Sequence, residues 1–374
     1  FEYREFAPMF RAELWDPQQW ADLFKRSGAK YVVLTSKHHD GFCLWPTKSP
    51  FKKNWNAADI GPRRDLVGEL TESVKSAGLK MGLYYSIIEW ESSKTHRTKS
   101  GYYVPLSIVK KYQIPREQYV DKHLIPQLKE LVNSYKPSLI FADGGEWDES
   151  EDYLKTKEFL AWLYNESIVK DEIVVNDRFA KGMPAKHGDY FSSEYKDAKL
   201  DGTHPWEESR GIGASYGLNR AENIEHYSTS NQLIQELIEI VSKGGNLLLN
   251  IGPAADGTIP VVMQERLLEI GDWLKVNGES IYMTRPSKLF QPAPHIYFTQ
   301  RDKKSFAIYT DWPEETSLLV LQEPRLRVKS VRLLGSELPL KWKQHQNLLL
   351  VDFPVLSIKQ LPSAHAWSLE IEFQ

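Results

Sequence analysis

One carboxylate of this sequence, Asp143, occupies a position suited to chemistry. An apolar run at residues 140–142 leads to it, and two glycines and Trp147 follow soon after. A buried strand holds a carboxylate at its end rigidly, and glycines let the chain turn sharply away. The pattern predicts a fixed carboxylate that faces a substrate. An aspartate that caps the following turn is the alternative.

Acid–base chemistry needs a second carboxylate, and three glutamates compete for that role. Glu194 lies among aromatic residues in segment 190–195, and burial against them would raise its pKa. A general acid that works near neutral pH requires such a shift. The competing interpretation of Glu194 is a surface residue on an edge strand. Glu207 and Glu208, which follow Trp206, are the alternates.

Two adjacent histidines, His38 and His39, follow a predicted strand. Consecutive strand residues point to opposite sides, so a metal ion shared by both rings is awkward. The sequence contains no H-E-x-x-H motif to support a zinc site. Neutral imidazoles can instead exchange hydrogen bonds with hydroxyl groups, which is the predicted role. A structural histidine, or a metal-dependent barrel hydrolase that uses both histidines and Asp177, remains as an alternative.

Other polar and aromatic residues lie near the same predicted strand ends. The guanidinium of Arg178 can orient a carboxylate or bind a sugar ring oxygen, although arginine most often forms a structural ion pair. Four aromatic residues can stack on the apolar face of a sugar or pack in the core: Trp45, Trp147, Trp206 and Tyr216. Tyr84 stands near the end of a strand predicted at 81–85.

Helical and strand patterns alternate over the first three quarters of the chain. Short apolar runs predict strands, the first of them buried on both faces, at residues 31–34, 81–85, 138–141, 173–176 and 246–250. Helix starts are predicted at Asp16, Asp65, Pro115 and Ser230. Strands separated by helices pair in parallel, which leaves a doubly wound sheet or a (β/α)8 barrel. No dinucleotide or phosphate-loop motif occurs, and many strands end in polar residues, so a barrel is favoured.

Helical spacing disappears after about residue 285. Apolar runs at 296–300 and 306–310 flank a polar turn, which predicts a hairpin, and residues 367–373 alternate as a half-buried strand does. We therefore predict a catalytic (β/α)8-like barrel over residues 1–285 and a small all-β sandwich over residues 286–374.

Composition excludes several classes of protein. The 374 residues carry a net charge of −3 and 26% charged side chains, which argues against a nucleic-acid partner. Mean hydropathy is −0.47, and no long apolar run predicts a membrane span. The single cysteine, Cys43, excludes a disulfide framework and a thiolate zinc site. The aromatic share of 12% suits sugar-stacking surfaces or an aromatic core.

Several segments resemble the α-L-fucosidases of glycoside hydrolase family 29. The resemblance covers nearly the whole chain. It is carried by KHHDGF at 37–42, GPRRDLVG at 61–68, VNDR at 175–178, WE at 206–207, RGIGASYG at 210–217 and GGNLLLNIGP at 244–253. Each motif alone is weak, but together and in this order they are specific.

The resemblance implies a retaining exo-glycosidase that uses neither a metal nor another cofactor. It implies Asp143 as the nucleophile and Glu194 as the acid/base, with Glu207 and Glu208 as alternates. The substrate-binding positions expected from the resemblance and from the stacking argument are His38, His39, Tyr84, Trp147, Arg178 and Tyr216. The expected substrate is a fucosylated oligosaccharide or glycoconjugate, and its terminal α-L-fucose is released through a covalent fucosyl-enzyme.

The chain departs from the family pattern at its start. Family members begin with a strand that carries a His-Trp-Gly motif, and Phe1 aligns after it. We expect an upstream segment to supply that strand, because an incomplete barrel would expose strand edges. A degenerate paralogue that binds fucose without turnover is the alternative. An exported location (periplasmic, secreted or lysosomal) is favoured over a cytoplasmic one, and a homo-oligomer is possible.

Overall fold

The computed structural model describes residues 2–92, 111–147, 149–195, 203–313 and 316–374. These residues belong to two compact units. The first unit consists of Phe1–Lys25, Ala29–Ser192 and Pro253–Pro260. The second consists of Arg26–Gly28, Ser193–Gly252 and Val261–Gln374. The predicted division at residues 285 and 286 stays a prediction.

A four-stranded parallel sheet forms the centre of the first unit. Its strands follow the chain in order, as β1 (Tyr31–Lys37), β2 (Lys80–Ser86), β3 (Leu139–Asp143) and β4 (Val174–Val175). Each predicted strand is present, and each pair of neighbours is parallel, as the alternation of helix and strand predicts. The carboxyl ends of the four strands therefore lie at the same edge of this sheet.

The first strand is less buried than the sequence predicts. Residues 31–34 of β1 are only half-buried and Thr35 is exposed, whereas the first four residues of β3 are buried. The cause is position, since β1 is the edge strand of this sheet and β2 and β3 lie inside it. An apolar run alone does not distinguish an edge strand from a central one.

Side-chain caps define where the early helices begin. Asp16 accepts hydrogen bonds from two backbone N–H groups at the start of helix Pro17–Arg26. Asp65 accepts one from Gly68 at the start of helix Leu66–Ser76. Both caps confirm the sequence prediction, because a short acidic side chain satisfies N–H groups that have no partner within the helix.

The helix predicted from Pro115 is not regular. It runs as Arg116–Tyr119, a π-helical turn Val120–Leu124, and Ile125–Tyr135. The widened turn precedes Pro126, which has no N–H group to donate to the preceding turn and whose ring crowds it. The sequence signal for this irregularity was the proline inside an otherwise helical pattern.

A three-stranded sheet lies largely in the second unit, and its last two strands pair in parallel. Its order is β5 (Phe191–Glu194), β6 (Trp206–Gly211) and β7 (Gly245–Asn250), and the unit boundary falls within β5. Helices Ser230–Ser242 and Val261–Asn277 belong to the same unit. No helix among the described residues is both long and apolar enough to cross a membrane.

The cap predicted at Ser230 is wrong by one residue. Thr229 accepts the hydrogen bond from the backbone N–H of Gln232, and Ser230 is the first helical residue. The side chain of Gln232 accepts in return from the backbone of Thr229, which completes a capping box. This reciprocal pair fixes the helix start at Thr229.

The C-terminal residues form two antiparallel sheets. The strands are β8 (Arg285–Pro286), β9 (Ile296–Arg301), β10 (Lys304–Tyr309), β11 (Thr316–Val320), β12 (Val328–Leu333), β13 (Lys341–His345), β14 (Leu348–Asp352) and β15 (Trp367–Phe373). One sheet has the order β12-β15-β10-β9-β8 and the other β11-β14-β13. Side chains of both sheets share one apolar core, which includes Ala307, Leu369, Leu319 and Val351. The predicted sandwich and the β9–β10 hairpin are confirmed.

The last strand is more buried than its alternating pattern predicts. β15 lies between β12 and β10, and its polar residue Ser368 is fully buried. Glu370 is also buried, where it accepts hydrogen bonds from Arg332 and Lys304. Because these two cations pair with its carboxylate, Glu370 can be buried on the polar face of a central strand.

A close backbone contact in the second unit gives a test of this packing. A Cβ atom at Gly271, in helix Val261–Asn277, would lie 1.9 Å from the carbonyl oxygen of Arg26. We expect Gly271→Ala to lower the free energy of unfolding by about 1–3 kcal/mol, although alanine favours a helix more than glycine does. Urea unfolding measures the difference.

The matched control is Gly217→Ala, because no described heavy atom lies within 4 Å of its ideal Cβ position. Its unfolding midpoint should stay close to that of the wild type. Equal midpoints for the two variants would contradict the contact at Gly271.

Candidate active site

The carboxylate of Asp143 lies at the carboxyl end of β3 and accepts hydrogen bonds from three side chains. The hydroxyl group of Tyr84 donates to Oδ2 at 2.7 Å, and Nε2 of His39 lies 3.1 Å from the same oxygen. Nη1 of Arg178 donates to Oδ1 at 3.0 Å. Three of the predicted site residues therefore meet the fourth, Asp143, as the convergence of strand ends predicts.

These contacts keep Asp143 ionised. Burial alone would raise its pKa, but the hydrogen bond from His39, the charge of Arg178 and the hydroxyl group of Tyr84 outweigh it. The pKa of this carboxyl group is held well below its ordinary value. The lowered pKa favours the carboxylate anion of Asp143 near neutral pH.

The ring of His39 is oriented by a backbone carbonyl group. Its Nδ1 lies 2.7 Å from the carbonyl oxygen of Ile88, which can only accept, so Nδ1 carries a proton. Its Nε2 faces the carboxylate of Asp143, another acceptor. Burial lowers the pKa of His39, but the hydrogen bond and charge of Asp143 more than offset this, and the net pKa is raised. The geometry is that of an imidazolium ion.

The neighbouring ring, His38, has the opposite character. Its pKa is lowered to about 4 by desolvation and by the charge of His39. The ring stacks on Tyr84 with centroids 5.6 Å apart and an interplanar angle of 13°. Part of the residue remains exposed. A neutral and accessible imidazole can donate and accept hydrogen bonds with hydroxyl groups, so two adjacent histidines have different protonation states.

The side chain of Arg178 is held by Ser192, which the sequence analysis did not identify, and through it by Asp177. Its Nε donates to the hydroxyl oxygen of Ser192 at 2.8 Å, and that hydroxyl group donates to Asp177 at 2.6 Å. The other carboxylate oxygen of Asp177 accepts from the backbone N–H of Ala185. The sequence shows that Asp177 and Arg178 are neighbours, but it does not reveal that the hydroxyl group of Ser192 connects their side chains.

The backbone around Asp143 is fixed from two sides. The side-chain amide of Asn176 accepts from the N–H group of Ala142 and donates to its carbonyl group, both at 2.9 Å. After the aspartate, Gly144 has a φ of +80°, which permits a sharp turn. A Cβ atom on Gly145 would lie 2.4 Å from the carbonyl oxygen of Phe179. The two predicted glycines therefore allow a close approach as well as a turn.

The alternative of a metal-dependent hydrolase named Asp177 as the carboxylate beside the two histidines, but the structure places Asp143 there. Ligand atoms of His38, His39 and Asp143 lie within 4.8 Å of one another, whereas Asp177 belongs to the Arg178 network. In this arrangement Nε2 of His39 directs a proton at Asp143, so it has no lone pair to offer a metal ion. The cluster is a hydrogen-bonded ion pair, and the expectation that no metal or cofactor is used stays a prediction.

A second carboxyl group, Glu146, lies three residues after Asp143, and the sequence analysis predicts no role for it. Its Oε2 atom is buried and has no hydrogen-bond partner among the described residues. Burial, and then the charge of Asp143, raise the pKa of Glu146 to about 7, with Arg178 opposing. The next residue, Trp147, places its ring 4.7 Å from that of His39.

The predicted acid/base residues lie in the second unit. Glu194, at the end of β5, is exposed, so the expectation that aromatic neighbours bury it is wrong. Glu207 and Glu208, on β6, are buried instead. Nε of Arg210 donates to Glu208 at 3.0 Å, and the same guanidinium pairs with Glu236 at 2.6 Å. The assignment of the acid/base to one of these glutamates stays a prediction.

The aromatic residues that were predicted to stack on a sugar or to pack in the core differ in burial. Trp206 and Trp45 are buried, and their Nε1 atoms donate to Lys243 and Glu130, respectively. Tyr216 is half-buried, and its hydroxyl group donates to the carbonyl oxygen of Ser209 at 2.9 Å. Its position in a sugar pocket stays a prediction.

The charge of His39 can be tested by titration. We expect the imidazole signals of His39 to titrate above the ordinary pKa of about 6.5 in the wild type and below it in Asp143→Asn, because burial then acts without the opposing charge. Proton-detected NMR of histidine-labelled protein measures both, and His39→Gln assigns the signal.

The raised pKa of His39 determines how the stability of the fold depends on pH. The protonated ring stabilises the fold below about pH 6.5, and this contribution is lost as the pH rises through the folded-state pKa. An unchanged titration in Asp143→Asn would show that the carboxylate does not hold the proton on His39.

Comparisons with known proteins agree with this geometry. The family model for α-L-fucosidase matches residues 1–279, and the model for the α-L-fucosidase C-terminal domain matches residues 291–372. The tissue α-L-fucosidase of Rattus norvegicus is 40% identical over 99% of this chain and 78% of its own length. The plasma α-L-fucosidase of Homo sapiens is 41% identical over 99% of this chain and 78% of its own length.

Solved structures give the same result. A Thermotoga maritima α-fucosidase in complex with fucose is 36% identical, with a TM-score of 0.79 over 99% of this chain and 82% of that chain. α-L-Fucosidase isoenzyme 1 from Paenibacillus thiaminolyticus is 28% identical, with a TM-score of 0.85 over 100% and 90%. The predicted fold class, a (β/α)8-like barrel followed by a small all-β domain, is confirmed. The chain belongs to the α-L-fucosidase family of glycoside hydrolases.

Proposed function

We propose that this chain is a retaining exo-α-L-fucosidase that releases terminal α-L-fucose from fucosylated glycans or glycoconjugates. The observation that supports the proposal most directly is the ionised carboxylate of Asp143, fixed at a strand end by three donors. Membership of the α-L-fucosidase family gives the sugar. Retention follows because a carboxylate displaces the leaving group from the opposite face of the anomeric carbon, and water then displaces the carboxylate from the face opposite to it, so that two inversions restore the original configuration.

Asp143 acts as the nucleophile in the first step. One of its carboxylate oxygens forms a bond to the anomeric carbon while the bond to the leaving oxygen breaks. In the second step the same carboxylate must leave. Donors from Tyr84, His39 and Arg178 already face its oxygens, so the returning negative charge is stabilised as it forms.

The acid/base is assigned to Glu194, with Glu207 and Glu208 as alternates. This residue must protonate the leaving oxygen and then take a proton from water, so solvent has to reach it. Glu194 is exposed, whereas Glu208 is buried and paired with Arg210. Accessibility favours Glu194 over Glu208 for a step that consumes water.

Substrate binding is assigned to the six predicted binding residues. His38 is neutral and partly exposed, which suits hydrogen bonds to sugar hydroxyl groups. Trp147, beside His39, offers an aromatic face, and Tyr216 is proposed to contact the methyl group of fucose. His39, Tyr84 and Arg178 line the same site through Asp143.

We also propose an exported location, which the similarity to a plasma α-L-fucosidase supports. The expected absence of a nucleic-acid partner rests on the acidic net charge of −3. A homo-oligomer remains compatible with the chain.

The role of Asp143 is tested by its alanine variant. We expect Asp143→Ala to lower kcat for 4-nitrophenyl α-L-fucoside by at least about 10³-fold, because no covalent intermediate can form. In the wild type, a 2-fluorinated fucosyl fluoride should lose its anomeric fluoride and add the mass of one 2-deoxy-2-fluorofucosyl group to the peptide that contains Asp143. Near-normal turnover in the variant, or a label on another peptide, would refute the assignment.

The acid/base assignment is tested by rescue. Glu194→Ala should lose activity on natural glycosides more than on 4-nitrophenyl α-L-fucoside, because nitrophenol leaves without full protonation. Azide should restore turnover and yield fucosyl azide, since a small anion replaces the water that the base activates. Glu207→Ala and Glu208→Ala are the matched comparisons, and azide rescue in either of them would move the role there.

A further inference from the structure

The segment that follows strand β2 contacts both His39 and Asp143 through its backbone. The N–H group of Ile87 donates to the carbonyl oxygen of Asp143 at 2.7 Å, and the carbonyl oxygen of Ile88 lies 2.7 Å from Nδ1 of His39. The N–H group of Trp90 donates to the carbonyl oxygen of His39 at 2.8 Å. The position of this segment therefore helps to set how the imidazole ring meets the carboxylate.

Glu89 lies in the middle of segment 87–90, and buried ions hold its side chain. The carboxylate of Glu89 forms ion pairs with Lys37 and Lys52, and all three side chains are fully buried. Nε2 of His123 lies 2.6 Å from its Oε1 atom. Partners from three other parts of the chain thus fix one carboxylate at the centre of the segment.

The helix that carries His123 supports the same segment at two points. Burial lowers the pKa of His123 to about 4, so its ring is neutral. Because the carboxylate of Glu89 can only accept, Nε2 carries the proton, and Nδ1 accepts from the hydroxyl group of Ser49 at 2.6 Å. Tyr119, four residues earlier, donates its hydroxyl group to the carbonyl oxygen of Ile87.

We propose that Glu89 is a positioning residue for the candidate active site: its ion pairs hold the carbonyl group of Ile88, which directs the ring of His39 at Asp143. Glu89 acts through the backbone, since its side chain is buried among the ions. The kinetic part of the inference rests on the proposed function. The alternative is a cluster that contributes to the stability of the fold alone.

The chemistry of the cluster explains why a change at Glu89 would move the segment. Without the negative charge of Glu89, the ammonium groups of Lys37 and Lys52 lose an anion that they contact. Buried charges without a partner are unfavourable, so the surrounding chain must rearrange or admit water. A displacement of reacting groups by about 1 Å is enough to lower a rate by about 100-fold.

The isosteric variant Glu89→Gln tests the proposal. We expect it to lower kcat for 4-nitrophenyl α-L-fucoside by about 10- to 100-fold with a smaller change in KM, because it misplaces groups that act in the chemical step. In NMR of histidine-labelled protein, the signal of the Nδ1 proton of His39 should shift, because its hydrogen bond to Ile88 changes. His39→Gln assigns this signal.

The matched control is Glu91→Gln, which removes another buried carboxylate from the same cluster. Glu91 pairs with Lys52 at 2.8 Å and with Arg4, on the side of the cluster away from Lys37. The urea midpoints of both variants should fall, but Glu91→Gln should keep a kcat and a His39 signal close to those of the wild type. Equal losses of kcat in both variants would give the cluster a purely structural role and overturn the inference.

His123→Phe covers the case in which Glu89→Gln does not fold. The change removes a neutral donor and no charge, and the ring already packs against Phe51 and Tyr119. We expect a smaller loss of kcat and a shifted His39 signal. A wild-type kcat with an unchanged His39 signal would contradict the proposal.

The two measurements separate this inference from the proposed function. A wild type that does not hydrolyse 4-nitrophenyl α-L-fucoside would refute the proposed function. The His39 signal would still test the positioning role of Glu89, because it depends on the hydrogen bond to Ile88 and not on turnover.

Discussion

An ionised carboxylate held inside the protein is the constraint on which the site depends. Asp143 lies at a strand end with only a small exposed fraction, and an isolated anion there would be too costly. Donors from Tyr84, His39 and Arg178 make its burial possible. The donors are oriented by partners of their own: a backbone carbonyl group orients His39, and Ser192 orients Arg178.

The residues that orient His39 are themselves next to a second cluster of buried ions. The carbonyl group that orients His39 belongs to Ile88, and the next residue, Glu89, is fully buried. Its carboxylate pairs with Lys37 and Lys52 and accepts from His123 at 2.6 Å. Burial would raise the pKa of Glu89, but the charges of these two lysines hold it well below its ordinary value.

The consequence is that the histidine segment is anchored at both ends. Lys37 precedes His38 directly, and Glu89 follows Ile88, so one ion pair ties the end of β1 to the segment after β2. A Cβ atom on Gly41 would collide with the side chains of Lys52 and Glu89. The loop that carries both histidines therefore lies directly against these ions, and the geometry of the candidate site depends on buried ion pairs next to it.

The sequence predicts well those features that depend on periodicity and on strand ends. Asp143, His39 and Arg178 are identifiable because each follows an apolar run, and parallel strands bring such positions to one edge. It fails where the outcome depends on packing. The exposure of Glu194 and the partial exposure of β1 depend on neighbours that a one-dimensional pattern does not contain. The serine that binds Arg178 is hidden for the same reason.

The least predictable feature is the sign of the pKa shifts, because each depends on its neighbour. The cation on His39 is a cause of the low pKa of His38, and the anion on Asp143 is a cause both of that cation and of the raised pKa of Glu146. The two adjacent histidines thus have pKa values shifted in opposite directions, and so do the two carboxyl groups, Asp143 and Glu146, which lie three residues apart. The charge of Asp143 contributes to the pKa shift of each of the other three groups, so these shifts are coupled through one residue, and a one-dimensional pattern does not contain that coupling.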